Sequence, residues 1–203
     1  MLRRLILLYA GLALYGLSSA MMVRAGLGLD PWNVLHQGIA LHLHLSFGTV
    51  IIAVGALLML IWIPLRQRPG FGTISNVALI GLAADAALAM LPQPHVPAVR
   101  IGMLIAAVAL NGIASGMYIG AGFGPGPRDG LMTGLAARSG WSIRLTRTGI
   151  EMCVLGLGCL LGGTVGIGTL LYALGIGTII QVALPAFQAM VPNQRSPRVV
   201  LDG

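Results

Sequence analysis

Gly120–Gly134 reads GAGFGPGPRDGLMTG, and the same frame occurs 96 residues earlier, where Arg24–Gly38 reads RAGLGLDPWNVLHQG. Laying residues 11–91 over 107–187 without a gap gives about 21 identities, where composition alone gives about 7, so the chain carries an internal repeat. The identities cluster. Gly26/Gly122, Gly28/Gly124, Pro31/Pro127, Leu35/Leu131 and Gly38/Gly134 fall in this stretch, and Gly70/Gly166, Gly72/Gly168, Thr73/Thr169, Ile80/Ile176 and Gly81/Gly177 fall in a second one. A duplicated pair of Gly-rich joints at one fixed separation organises the sequence.

The joints punctuate apolar segments. Of 203 residues 57% are hydrophobic and 8% charged, with mean hydropathy +0.91, whereas soluble domains carry about 25% charged residues. The chain therefore reads as an all-α integral membrane protein. Runs long enough to span a bilayer, about 20 residues, lie near 5–23, 47–65, 71–91, 98–119, 143–163 and 168–190. Segments 31–43 and 127–139 are helical in composition but too short and too polar to cross, and read as half-helices. Each repeat is thus span, joint, half-helix, span, Gly-x-Gly-Thr joint, span. Three spans per unit is an odd number, so the second unit enters the membrane inverted relative to the first. The expected organisation is a first repeat over 1–91, a linker PQPHVP at 92–97, a second repeat over 98–191 and a polar tail over 192–203.

All twelve basic residues are arginine, spread along the chain instead of clustered. With the N-terminus in the cytoplasm, ten of them fall on that side or at its boundary, and only Arg24 and Arg100 lie outside. The net charge of +7 is then an orientation signal and both termini are expected to be cytoplasmic. A nucleic-acid partner is not expected, because the arginines flank spans and lack the interleaved aromatics of a binding face. Leu5–Leu17 resembles a secretory signal but has a counterpart in the second repeat and reads as the first span. Cys153 and Cys159, six apart on one helix, cannot pair with each other and are expected to be buried.

GLGLDPWNVLHQG, PGFGTISNVALIG, GPGPRDGLMTG and GGTVGIGTLLYALGIG together resemble the YczE/YyaS/YitT-type bacterial inner-membrane proteins, over nearly the whole chain. The resemblance implies a multi-pass protein of the inner membrane with Gly/Pro-rich joints. It implies no particular activity. Where such proteins are expected to carry an acidic residue after Pro-Trp, this chain has Asn33.

Site residues are sought first at the half-helices. Pro31 and Pro127 suit the first helical position, with Asp30 or Gly126 as cap, so the positive end of each half-helix faces its joint. Arg128 and Asp129 are expected on one side of a ligand site, with Asp30, Trp32, Asn33 and His36 as their pseudo-symmetric counterpart. Each has a plainer reading: capping for Asp129, an orientation charge for Arg128, an interfacial marker for Trp32. Polar groups inside spans come next, since a charge at a helix centre costs roughly 2.5–3.5 kcal/mol on insertion scales. Asp85 aligns with Gln181, and Arg147 with Glu151 can pair at i, i+4. These four are candidates for coupling or for intramembrane polar contacts. Asn76, Asn111, Tyr172 and Gln181 can line the interior or bond neighbouring helices. His36, His42, His44 and His95 make no metal-ligand pattern, and neither metal nor cofactor is expected.

With no lysine there is no Walker A loop, and no nucleophile motif stands out, so an enzyme is not expected. The leading expectation is a secondary transporter of a small polar or anionic molecule, working by alternating access between inverted repeats. The alternatives are a membrane scaffold or regulatory protein, or the substrate-binding subunit of an ATP-driven importer. The expected partners are membrane lipid and a small-molecule ligand, with homo-oligomerisation left open.

Overall fold

The computed structural model describes residues 1–191; segment 192–203, read above as a polar tail and containing Arg195 and Arg198, lies outside the described residues. The described residues form eight helices: α1 (Leu2–Ala25), α2 (Pro31–Leu43), α3 (Phe47–Trp62), α4 (Phe71–Met90), α5 (Pro97–Gly120), α6 (Pro127–Ser139), α7 (Ile143–Leu160) and α8 (Ile167–Ala189). The half-helices α2 and α6 have the bounds the sequence predicts.

The two halves use the same local devices at equivalent positions. Gly26 and Gly122 follow α1 and α5 at φ 61° and 68°, and Gly28 and Gly124 adopt φ 113° and 118°. A Cβ is costly at such angles, so glycine is needed there. Asp30 and Gly126 then hold the N-cap positions of α2 and α6, whose first residues are Pro31 and Pro127. The half-helices end on His44 and Gly140, both left-handed. Ser46 and Ser142 cap α3 and α7 by accepting from the N–H groups of Thr49 and Leu145.

Contacts between the halves are reciprocal. Arg4, at the start of α1, donates from Nε and Nη2 to the carbonyls of Ala121 and Gly122 at 2.9 and 2.8 Å. Arg100, its equivalent on α5, donates to Ala25 and Gly26 at 2.8 and 2.9 Å. The N–H of Gly72 reaches Phe123 O at 2.9 Å, and that of Gly168 reaches Leu27 O at 2.8 Å. Each joint thus receives the start of a helix from the other half. The exchange is reciprocal, and it sets α1 antiparallel to α5. The half-helices are exchanged as well. α2 lies on α7, with Gly38 against Leu161, and α6 lies on α3, with Gly134 against Leu65. Small residues permit these approaches: a Cβ at Gly112 would stand 2.4 Å from Ile179 of α8, and one at Gly16 would stand 2.6 Å from Ala83 of α4. Leu8, Leu12, Phe47, Ile51 and Ile80 form the apolar core where α1, α3 and α4 meet.

Four helices, α1, α4, α5 and α8, are long and apolar enough to cross a membrane, against the six spans expected. The α3 helix stops at 16 residues, about 24 Å, and is bent 113° from α2 at the intervening break. The α7 helix carries Arg144, Arg147 and Glu151 within its 18 residues.

The likeness of the two halves fails at one seam. Gly48 of α3 lies against the backbone of Gly81 in α4, and Asp85 holds the start of α3 by accepting from Ser46 Oγ at 2.5 Å and Gly48 N–H at 2.6 Å. In the second half, Arg144 replaces Gly48 and Gln181 replaces Asp85. There α7 and α8 scarcely touch, and Gly177 faces open space.

Candidate functional site

A cavity of about 200 Å³ lies where both halves meet, walled by α1, α2, α4, α5, α6, α7 and α8. Arg128, second residue of α6, enters it and stands 3.6 Å from Asp30 Oδ1, the cap of α2. That distance makes an ion pair and is too long for a hydrogen bond. The guanidinium also lies over the Trp32 ring at 5.1 Å, within cation–π range. Trp32 and Arg128 are equivalent positions of the repeat. The cavity therefore lies where equivalent positions of the two halves touch each other.

Asp30 is 1% exposed; its Oδ1 accepts from the Asn33 N–H at 3.3 Å, while Oδ2 is buried with no hydrogen-bond partner among the described residues. The Trp32 indole N–H is likewise buried and unpartnered. Asp129 accepts from the Gly126 N–H at 3.1 Å, which is its capping role, and it also borders the cavity. On the α7 side, Arg147 Nε donates to Glu151 Oε1 at 2.8 Å, the i, i+4 pair the sequence predicts, and both residues line the cavity.

Other expected residues take different places. Asn33 is fully buried and structural: its Nδ2 donates to Ser19 Oγ at 3.1 Å, pinning α2 to α1, and its Oδ1 lies 3.2 Å from His36 Nδ1. His36 packs between the rings of Trp32 and Phe47 and borders a small side pocket of about 30 Å³ that it shares with Arg128. Asp85 points away from the cavity, because both its oxygens are engaged at the start of α3. Gln181 is exposed on α8 and lines nothing. Asn111 is buried outside the cavity, in a chain in which Tyr172 donates to Asn111 and Asn111 donates to Ser18. Cys153 and Cys159 are exposed instead of buried.

The wall also contains Tyr15, Ser115 and Tyr118, which sequence reasoning missed. The rings of Tyr15 and Tyr118 meet edge to face at 6.1 Å. Polar residues amid apolar spans were the available signal, and Ser115 is identical to its repeat partner Ser19. A second, open groove of about 590 Å³ between α2, α3, α6 and α7 is almost wholly apolar, with Leu57, Leu135, Trp141 and Leu157 among its walls. Trp32 borders both spaces.

Residues 2–185 match the model of a family described as "Family of unknown function (DUF6198)". The chain belongs to this family. Within reach of this DUF6198 member, a Haemophilus influenzae "Uncharacterized protein" is 38% identical over 179 residues, covering 88% of this chain and 82% of the relative. The "Uncharacterized membrane protein YczE" of Bacillus subtilis is 32% identical, covering 87% and 83%, and "Uncharacterized protein YyaS" of the same organism is 24% identical, covering 86% and 89%. The expected YczE/YyaS-type resemblance is thus met. No solved structure matches the chain. A relative named as a membrane protein and four long apolar helices agree that this DUF6198 protein is an integral membrane protein.

Proposed function

We propose that this protein is a secondary transporter that binds a small polar molecule in the cavity between the two halves and exposes it alternately to the two sides of the inner membrane. The supporting observation is the cavity itself. It is lined from both halves, it lies where their equivalent positions touch, and one of its flanking seams is closed while the equivalent seam is open. Inverted repeats move substrates by rocking around such a fixed central site. Antiparallel α1 and α5 support inversion, and the start of α1 and the end of α8 face the cytoplasm in this arrangement. Irregular backbone at membrane depth is tolerated where it lines a cavity, and the two joints lie beside this one. The role is carriage and not catalysis.

A thermal-shift screen of purified protein against metabolites comes first, since a ligand at 100 times its Kd stabilises the fold by about 2.7 kcal/mol. Each hit is then tested for counterflow in proteoliposomes. Exchange of a bound compound is the expected result; a compound that binds tightly but never exchanges would mark a receptor or scaffold instead.

A further inference from the structure

We infer that the cavity between the two halves takes a zwitterion of about six to ten non-hydrogen atoms, a proposal that rests on the transport reading above and names the substrate class. Two buried polar atoms in its wall lack partners among the described residues, and they are of opposite kind. Asp30 Oδ2 can only accept while ionised, and the Trp32 indole N–H can only donate. Buried polar groups in native proteins are nearly always satisfied. The ligand that satisfies both carries a donor and an acceptor.

Charge sharpens this to a cation and an anion. Arg128 makes no hydrogen bond among the described residues: it only approaches Asp30 at 3.6 Å and covers Trp32. Its planar fork therefore remains free for a carboxylate or similar anion, the partner it binds best. An anion there, on its own, would leave Asp30 buried and facing added negative charge. A lone cation on Asp30 would instead sit beside Arg128. One molecule bearing both charges answers both residues, with its anion on Arg128 and the Trp32 N–H and its cation on Asp30 Oδ2. The α7 part of the wall repeats the mixture with Arg147 and Glu151. Size sets the limit, since a cavity of roughly 150 Å³ holds benzene and this one measures about 200 Å³.

The test uses full-length protein in nanodiscs and calorimetry with two matched trios. One is leucine, isocaproate and isoamylamine; the other is δ-aminovalerate, valerate and pentylamine. We expect at least one zwitterion to bind about tenfold or more tightly than its own anion-only and cation-only counterparts, the scale of one charged hydrogen bond. Arg128→Gln and Asp30→Asn should each remove that advantage. Trp32→Phe, which keeps a six-membered ring and loses the fused pyrrole with its N–H, should weaken the zwitterion severalfold in protein whose melting transition shows it folded, so a misfolded Asp30→Asn does not decide the matter. Isocaproate or valerate binding as tightly as its zwitterion overturns the inference, and so does silence from all six probes; counterflow of some other compound would then leave the transport reading standing. Ser115→Phe, placed to fill the cavity, should abolish binding. Undiminished binding to that variant would place the ligand elsewhere and overturn the cavity reading as well.

Discussion

Trp32 and Arg128 occupy the same position in the two halves of the chain and meet each other, guanidinium over indole, at 5.1 Å. Each is the second residue of its half-helix. One sequence frame therefore delivers two chemically different side chains to one cavity. The repeat makes the place, and divergence makes it asymmetric.

Arg128→Ala is expected to weaken the transported ligand by about 1.5–3 kcal/mol, the range for a hydrogen bond to a charged group. Arg68→Ala, an exposed arginine away from the cavity, should leave affinity unchanged. Equal affinities in the two variants, both folded, would return Arg128 to the role of an orientation charge.

Asp85 fastens the start of α3, and its contacts lie away from the cavity. Its oxygens accept from Ser46 and Gly48 at the start of α3, so Asp85→Ala should cost about 1–2 kcal/mol of stability through lost capping. Ligand affinity should remain within about twofold in the surviving folded protein, well under the effect of losing a hydrogen bond. A pH-gradient dependence that vanishes in Asp85→Asn while stability holds would contradict this.

The extent of both half-helices was legible because proline, glycine and serine act locally: Pro31 and Pro127 start them, and His44 and Gly140 with Ser46 and Ser142 end them. Arg128, Asp30 and Trp32 were legible as a group because a duplicated joint marks a place where backbone is irregular twice. Asp85 and Gln181 were legible as equivalent positions, but alignment gives equivalent depth along a helix and not the direction a side chain takes, and neither lines the cavity. That direction depends on the seam, and Gly48 against Gly81 closes one seam where Arg144 opposite Gly177 does not. Tyr15 and Tyr118 were missed since their repeat partners, Asn111 and Met22, share no chemistry with them.

Both joints should be intolerant of a side chain, one more than the other. Gly28 and Gly124 adopt φ 113° and 118°, so alanine is strained at either, by about 1–3 kcal/mol. A Cβ at Gly28 would also stand 2.6 Å from the Gly166 backbone, whereas at Gly124 the nearest atom is Thr73 Oγ1 at 3.1 Å. Gly28→Ala is therefore expected to lower the melting temperature more than Gly124→Ala. The reverse order, measured in the same detergent, would show that the joints do not pack as described.

The transport reading makes Glu151, which lines the cavity wall and is ion-paired with Arg147 at 2.8 Å, its proposed coupling carboxylate. Glu151→Gln should abolish accumulation driven by a pH gradient while preserving counterflow, which needs no net driving force. Loss of both together would make Glu151 a binding or structural group.

The last prediction decides how many times the chain crosses. Arg24 donates to the carbonyl of Leu88, which brings the ends of α1 and α4 to the same side, and Arg4 covers Phe123 beside the start of α4. The α1 and α4 helices are therefore parallel, so the chain leaving α1 at Ala25 has to return to the opposite side before Phe71. Only α2 and α3 are available to make that return, and since α2 is bent 113° from α3 the return falls to α3, about 24 Å long against a bilayer core of roughly 30 Å. In a background with Cys153→Ser and Cys159→Ser, needed because both thiols are exposed, Leu2→Cys should react with an impermeant maleimide from the cytoplasmic side and Gln93→Cys from the outside. An odd number of crossings lies between them. Labelling of both positions from one side would mean that α2 and α3 do not traverse the membrane, and with them would go the inverted arrangement and the alternating access built on it.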